Sequence, residues 1–403
     1  MTSSENAHIF DHLIAPLQKQ TFLSEFWGKS FTHIKGDPDR FKDLVTWDEV
    51  NTVLEQHRFS KPRIRLFHEG EPIDAKQFMK DRVHLNSAGL TTCLAEGATL
   101  IIDSVNELFP AVGKLAEACQ EVLQSETTVN LYASWRTHKG FKLHWDEQDT
   151  MMVQVAGRKH WKVHKPTRLH PFKEESATSP EPTGAAIWDG ILETGDVLYL
   201  PRGWWHVAYP LNEPSLHLTV TVVPANGPDL LRWFIKQLNR HPEVRMNVPT
   251  LASATEKQAY IARLIELMST FAAPDLLSRF THEWEASLPV KPLFALPETP
   301  NTIQDEITRE SFVRLSLSQG LVVTETPEEP ARYDASGVEG ECPPIIVPAL
   351  RKLSGLRFVS ISELLSALPH PSAEPELLTC LTTLSTKGRL HVVSNLSASR
   401  RYT

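Results

Sequence analysis

Cysteine is scarce in this chain: Cys93, Cys119, Cys342 and Cys380 are the only four in 403 residues, and no two of them form a CxxC pair. That excludes a disulfide framework and a thiolate metal site, so reduced thiols are expected. Long apolar runs are missing too. None approaches the about 18 residues that a membrane-spanning helix needs, and the N-terminal MTSSENAHIFDHLIAPL lacks the basic stretch and apolar run of a signal peptide. A cytoplasmic protein with no membrane partner is therefore expected. There is no basic excess: 49 acidic residues against 41 Lys plus Arg leave a net charge of -8, which disfavours indiscriminate binding to nucleic acid. Direct contact with nucleic acid through a local basic groove stays open.

What is present describes a folded protein. Hydrophobic residues at 41% and charged residues at 22% exclude a disordered acidic chain, and the length suits two or three domains. The first hundred residues mix helical and extended patterns, with FLSEFW at 22–27 reading as helix and PRIRLF at 62–67 as strand. From Asn106, NELFPAVGKLAEACQEVLQ repeats its apolar positions at close to the helical period. Between 128 and 222 the pattern changes to short β-rich pieces, TVNLYASW, FKLHWD, DTMMVQVAG, RKHWKVHK, AAIWDG, DVLYLPRG and SLHLTVTVV. Hydrophobic strands punctuated by Gly and Pro predict an antiparallel sandwich or partly open barrel. Strand patterning stops near 225, and LLRWFIKQLNRH together with the long segment after Glu256 predicts a mainly helical region from about 228 to 288. A Pro-rich passage, LPVKPLFALPETP, then leads to a small α+β segment of possible winged-helix type beginning near 303.

The chemistry is concentrated in FKLHWDEQDTMMVQVAGRKHW at 141–161 and GDVLYLPRGWWHV at 195–207. His144 and Asp146 stand two residues apart, so on an extended strand both side chains face one way and can converge on one ion. His206 completes a facial triad if its strand folds back across a barrel, and such a triad leaves positions open on Fe(II) for an oxoacid and dioxygen. A His-x-Asp pair alone occurs as an ordinary hydrogen-bonded turn in many β proteins. Lys159 could pair with the distal carboxylate of a 2-oxoacid, or form a plain surface salt bridge. In GRKHW, Lys159 and Trp161 should share a strand face with His160 on the other.

The combination of HWDEQD, VQVAGRKHW, GDVLYLPRGWWH and SLHLTV, over roughly 128–222, resembles the JmjC ribosomal-oxygenase family, a cupin-like group of Fe(II)- and 2-oxoglutarate-dependent protein hydroxylases. The resemblance implies a mixed α/β chain with a double-stranded β-helix core. By the same resemblance the layout is a lead-in plus catalytic domain over 1–225, a helical dimerisation region over 226–300 and a winged-helix-like domain over 301–403. It also implies iron ligation by His144, Asp146 and His206, 2-oxoglutarate binding by Lys159, and a cosubstrate pocket lined by Asn130 and Tyr132. Tyr132 could equally be a core aromatic, and Asn130 a turn cap. The implied reaction consumes dioxygen and 2-oxoglutarate, releases succinate and carbon dioxide, and hydroxylates an Arg or His side chain of a ribosomal protein or peptide, with the enzyme a homodimer. One departure stands out: many relatives carry a second His after the His-x-Asp pair, where this chain has Gln148 before Asp149. Two alternatives remain: hydroxylation of an amino acid, biosynthetic peptide or other small metabolite, and a noncatalytic cupin-like module that binds protein or RNA.

Overall fold

The computed structural model describes residues 3–59, 63–175, 180–289, 307–315, 321–326, 329–335, 339–353 and 358–393. The Pro-rich passage expected as a linker lies mostly outside the described residues. The chain divides into two compact units, Thr2–Pro224 and the part from Ala225 onward. Among the described residues no helix is long and apolar enough to cross a membrane.

Among its described residues the first unit contains eleven strands: β1 (Thr32–Ile34), β2 (Ile64–His68), β3 (Glu71–Pro72), β4 (Thr99–Ile102), β5 (Glu126–Ser134), β6 (Asp149–Ala156), β7 (Lys159–His164), β8 (Trp188–Leu192), β9 (Val197–Leu200), β10 (Trp205–Pro210) and β11 (Ser215–Val223). They form an eight-stranded sheet in the order β1-β9-β6-β11-β5-β4-β2-β3 and a three-stranded sheet in the order β10-β7-β8. Every pairing within them is antiparallel. This is the antiparallel two-sheet arrangement that the strand pattern predicts, and it fits the cupin-like core that the resemblance implies.

Period-two alternation assigns each strand face its task. On β5, Val129, Leu131 and Ala133 are fully buried, as are Leu216, Leu218 and Val220 on β11, and all join one apolar cluster with Phe10, Leu13, Val112, Leu115 and Cys119 of the helices Ser3–Ile14 and Pro110–Leu123. The helices thus cover one face of the large sheet. The other face meets the small sheet, where Met152, Leu198 and Leu200 pack with Trp161, Val163 and Leu192 in a second cluster. Asn130 and Tyr132 on β5, and His217 and Thr219 on β11, occupy the alternate positions and turn toward this interior.

Three sequence expectations are refined. Of residues 22–27, Phe22–Phe26 are helical but form a π-helix turn, which Trp27 ends. The helix expected from Asn106 begins at Pro110, whose fixed φ and missing N–H suit a first turn. FKLHWD is not a strand: only His144 pairs, in a single antiparallel bridge with His206. Its two backbone bonds, His144 N to His206 O at 3.1 Å and His206 N to His144 O at 2.7 Å, end there because the polar run Asp146, Glu147, Gln148 supplies no apolar alternation to hold a longer ladder.

In the second unit, helix Gly227–Leu238 starts with Asn226 and Asp229 in a reciprocal capping box, and Ser253 with Glu256 does the same for helix Ala254–Phe271. Trp233 Nε1 of the first helix donates to Glu283 at 2.8 Å on helix Leu276–Ser287. Farther on, β12 (Phe312–Leu315) lies between β16 (Val359–Ser360) and β17 (Leu390–Val393), while β13 (Val322–Thr326), β14 (Glu329–Asp334) and β15 (Glu339–Cys342) form a meander. Helix Glu374–Thr386 buries Leu377, Leu381 and Leu384 in the local core.

Candidate metal and cosubstrate site

His144, Asp146 and His206 converge, with one potential ligand atom from each lying within 4.8 Å of the others. Asp146 Oδ1 is 3.9 Å from His144 Nε2, and Oδ2 is 3.6 Å from His206 Nε2. The backbone fixes which imidazole nitrogen faces inward. His144 Nδ1 lies 2.8 Å from the carbonyl of Lys142 and His206 Nδ1 lies 3.0 Å from that of Trp204. A carbonyl can only accept, so each Nδ1 carries the proton and each Nε2 presents a lone pair toward Asp146. Two neutral imidazoles and a carboxylate are a donor set for a divalent transition metal. Burial, reinforced by the neighbouring His144, pushes the His206 imidazolium down to about 4, which keeps that ligand unprotonated at neutral pH.

The local geometry rests on a stitched loop. Besides the His144–His206 bridge, Gly203 N donates to Asp146 O at 2.9 Å. Gly203 has φ +84°, and a Cβ there would stand 2.6 Å from Pro171 Cδ. Only glycine accommodates both demands. Gly203→Ala is expected to cost about 1–3 kcal/mol in urea unfolding, with a parallel loss of metal affinity because the ligands on both sides of the stitch shift. Buried Asp149 anchors the same turn, accepting from Tyr199 Oη at 2.6 Å and from Arg202 N at 2.9 Å.

Behind the triad lies a cavity of about 260 Å³, reaching from His144, Asp146 and His206 to Lys159 and lined also by Tyr132, Trp161, His217 and Thr219. Lys159 and Trp161 are buried on one face of β7, and His160 is half-buried on the other, where it pairs with Asp189. Lys159 is 4% exposed, and among the described residues no carboxylate pairs with it. Burial pushes its ammonium down to about 7. An uncompensated cation at the closed end of a polar cavity is arranged to receive an anion. Tyr132 is half-buried in the same wall, and desolvation with nearby Asp146 raises its phenol pKa, so the hydroxyl remains a neutral donor.

Asn130 is not among the cavity-lining residues. Its Oδ1 accepts at 3.0 Å from the backbone N of Ser104, a left-handed residue with φ 54°. Gln148 also stays outside the cavity lining, with its amide donating to Glu147 Oε1 at 2.9 Å. Trp204 packs against Phe31, and Trp205 Nε1 donates to Thr167 at 3.0 Å, so neither tryptophan lines the cavity. Several lining groups escaped the sequence reading, among them His217, Thr219 and Arg65. His217 and Thr219 interrupt the apolar positions of SLHLTV at every second residue, a visible sign of a polar inner face. Arg65 lines the cavity from β2, held by Asp103 at 3.0 and 2.6 Å, and only topology brings that distant strand here.

The JmjC domain family matches residues 107–230. The bifunctional lysine-specific demethylase and histidyl-hydroxylase NO66 of Dictyostelium discoideum is 28% identical over 245 residues, covering 58% of this chain and 46% of that protein. Its counterpart in Drosophila mojavensis is 25% identical over 232 residues, 54% of this chain and 25% of its own length. Ribosomal oxygenase 1 of Rattus norvegicus is 27% identical over 234 residues, 55% and 38% of the two chains. The chain thus spans between a quarter and about half of the length of these curated relatives. Among solved structures, the Escherichia coli ribosomal oxygenase YcfD aligns over 94% of this chain and 98% of its own, with TM-score 0.54 and 18% identity. A structure of YcfD with cobalt and 2-oxoglutarate aligns over the same shares with TM-score 0.53 and 18% identity. These likenesses show a common fold.

Proposed function

We propose that this chain, which belongs to the JmjC ribosomal-oxygenase family, is an Fe(II)- and 2-oxoglutarate-dependent dioxygenase that hydroxylates an Arg or His side chain of a ribosomal protein. One observation carries the reading: three metal-donor atoms meet at one end of a cavity whose other end holds a buried lysine with no counter-ion among the described residues. The donors suit a divalent iron, and the lysine suits the distal carboxylate of a 2-oxoacid. The names of the relatives, histidyl-hydroxylase and ribosomal oxygenase, support the substrate class.

Iron bound at this site would supply activation of dioxygen, coupled to oxidation of the cosubstrate. The chain's own residues bind and orient. His144 and His206 offer Nε2 while each Nδ1–H donates to a backbone carbonyl, and Asp146 adds the anionic ligand. Lys159 and Tyr132 hold the far carboxylate, and buried Met152 and Trp161 keep water from that end.

The same proposal gives 226–300 a role in homodimerisation and 301–403 a winged-helix-like docking role. Exposed Leu231 and Ile235 on one helix and Ile261, Ile265 and Met268 on another support the first part, because such spacing leaves apolar helix faces without partners.

The test is incubation with Fe(II), 2-oxoglutarate and ribosomal proteins, followed by peptide mass spectrometry. The expected result is addition of one oxygen at a single Arg or His, absent without 2-oxoglutarate. Oxidation confined to an added amino acid or small metabolite would replace the protein substrate. Failure to bind either metal or 2-oxoglutarate would leave a noncatalytic module.

A further inference from the structure

His217 is 2% exposed, lines the cavity beside the lysine, and has an enclosed Nδ1 with no hydrogen-bond partner among the described residues. Its ring is clamped. Tyr132 stacks on it at 4.9 Å and 12°, and Trp161 meets it edge-on at 5.6 Å and 83°. Burial, reinforced by the charge of Lys159, holds the imidazole neutral, leaving one N–H to donate. β11 pairs with β5 in unbroken register through His217, so strand alternation turns the ring to the same inner face as Tyr132 opposite it. An apolar residue would fill an enclosed position of this kind without orphaning a nitrogen, so a polar ring kept there points to a ligand.

We infer that His217 is a cosubstrate-specificity residue that donates a ring N–H to the same distal carboxylate that Lys159 pairs with. This rests on the 2-oxoglutarate reading above and adds a second recognition element to it. The three groups Lys159, Tyr132 and His217 would then surround the carboxylate with one cation and two neutral donors, which distinguishes a dicarboxylic oxoacid from a monocarboxylic one of equal length.

The experiment compares binding of 2-oxoglutarate and 2-oxopentanoate by calorimetry, using protein loaded with Mn(II) under nitrogen so that no turnover occurs. Wild type should prefer 2-oxoglutarate strongly. In His217→Phe, which keeps a flat ring but no N–H, that preference should shrink about 10- to 100-fold. Mn(II) affinity should be unchanged. His217→Asn, which restores a short N–H donor, should recover part of the preference, something a merely space-filling ring would not do. An undiminished preference in folded His217→Phe, or in His217→Ala should the Phe variant not fold, would overturn the inference and leave the 2-oxoglutarate reading intact. Absence of any preference in wild type would overturn both.

Discussion

Replacing His144 or His206 by Ala is expected to abolish stoichiometric divalent metal binding and to reduce 2-oxoglutarate turnover to background. Losing an outer hydrogen-bond partner of a metal ligand typically costs about 10- to 100-fold, and loss of a ligand exceeds that. The two positions differ in how the fold answers. His144 is half-buried on the stitched loop, so truncation exposes a gap to water, whereas His206 is 6% exposed and hydrogen-bonded to Trp204 O. His206→Ala should therefore also lower the thermal midpoint, and His144→Ala should leave it nearly unchanged. Metal analysis of the folded variants, read beside circular dichroism, checks both statements. Undiminished metal at the native pocket in either variant would reject the ligand assignment.

Lys159→Ala is expected to leave metal occupancy intact and weaken 2-oxoglutarate binding by about 2–5 kcal/mol, the range for truncating one partner of a buried charge pair. Lys159→Arg keeps the charge in a different shape and should fall between the two. The pH dependence follows from burial. In the apo protein the ammonium titrates at about 7, while in the unfolded chain it titrates near 10.4. Between these values the unfolded state holds the extra proton, so apo stability should rise with pH across that window by on the order of a few kcal/mol. Lys159→Met should flatten the slope. Cosubstrate binding needs the charged form, so affinity should fall as pH rises above about 7, by up to about tenfold per unit, with proton uptake on binding. Calorimetry in buffers of different ionisation enthalpy measures that uptake.

The sequence made the strand-borne half of this site legible. Lys159 and Trp161 share a buried face because β7 is a regular strand, and the same alternation turns Tyr132 inward on β5. The loop-borne half was legible only as residue types. His144 and Asp146 do meet, but through one bridge and one further backbone contact, not through the extended strand that their spacing suggested. Asn130 shows the limit of face assignment. It sits on the inner face as expected, yet its carboxamide is engaged by Ser104 N, because a left-handed turn there needs an acceptor. Arg65 and Thr99 reach the cavity from strands far along the chain, and no local pattern announces a contact that sheet order alone creates.

The most direct measurement is a crystal structure of the protein soaked with Mn(II) and 2-oxoglutarate without oxygen, with the metal located by anomalous scattering. The account predicts one strong peak bonded to Nε2 of His144, Nε2 of His206 and a carboxylate oxygen of Asp146, with the oxoacid chelating it and the distal carboxylate on Lys159. A peak elsewhere, or an oxoacid whose distal carboxylate lies away from Lys159, would contradict it.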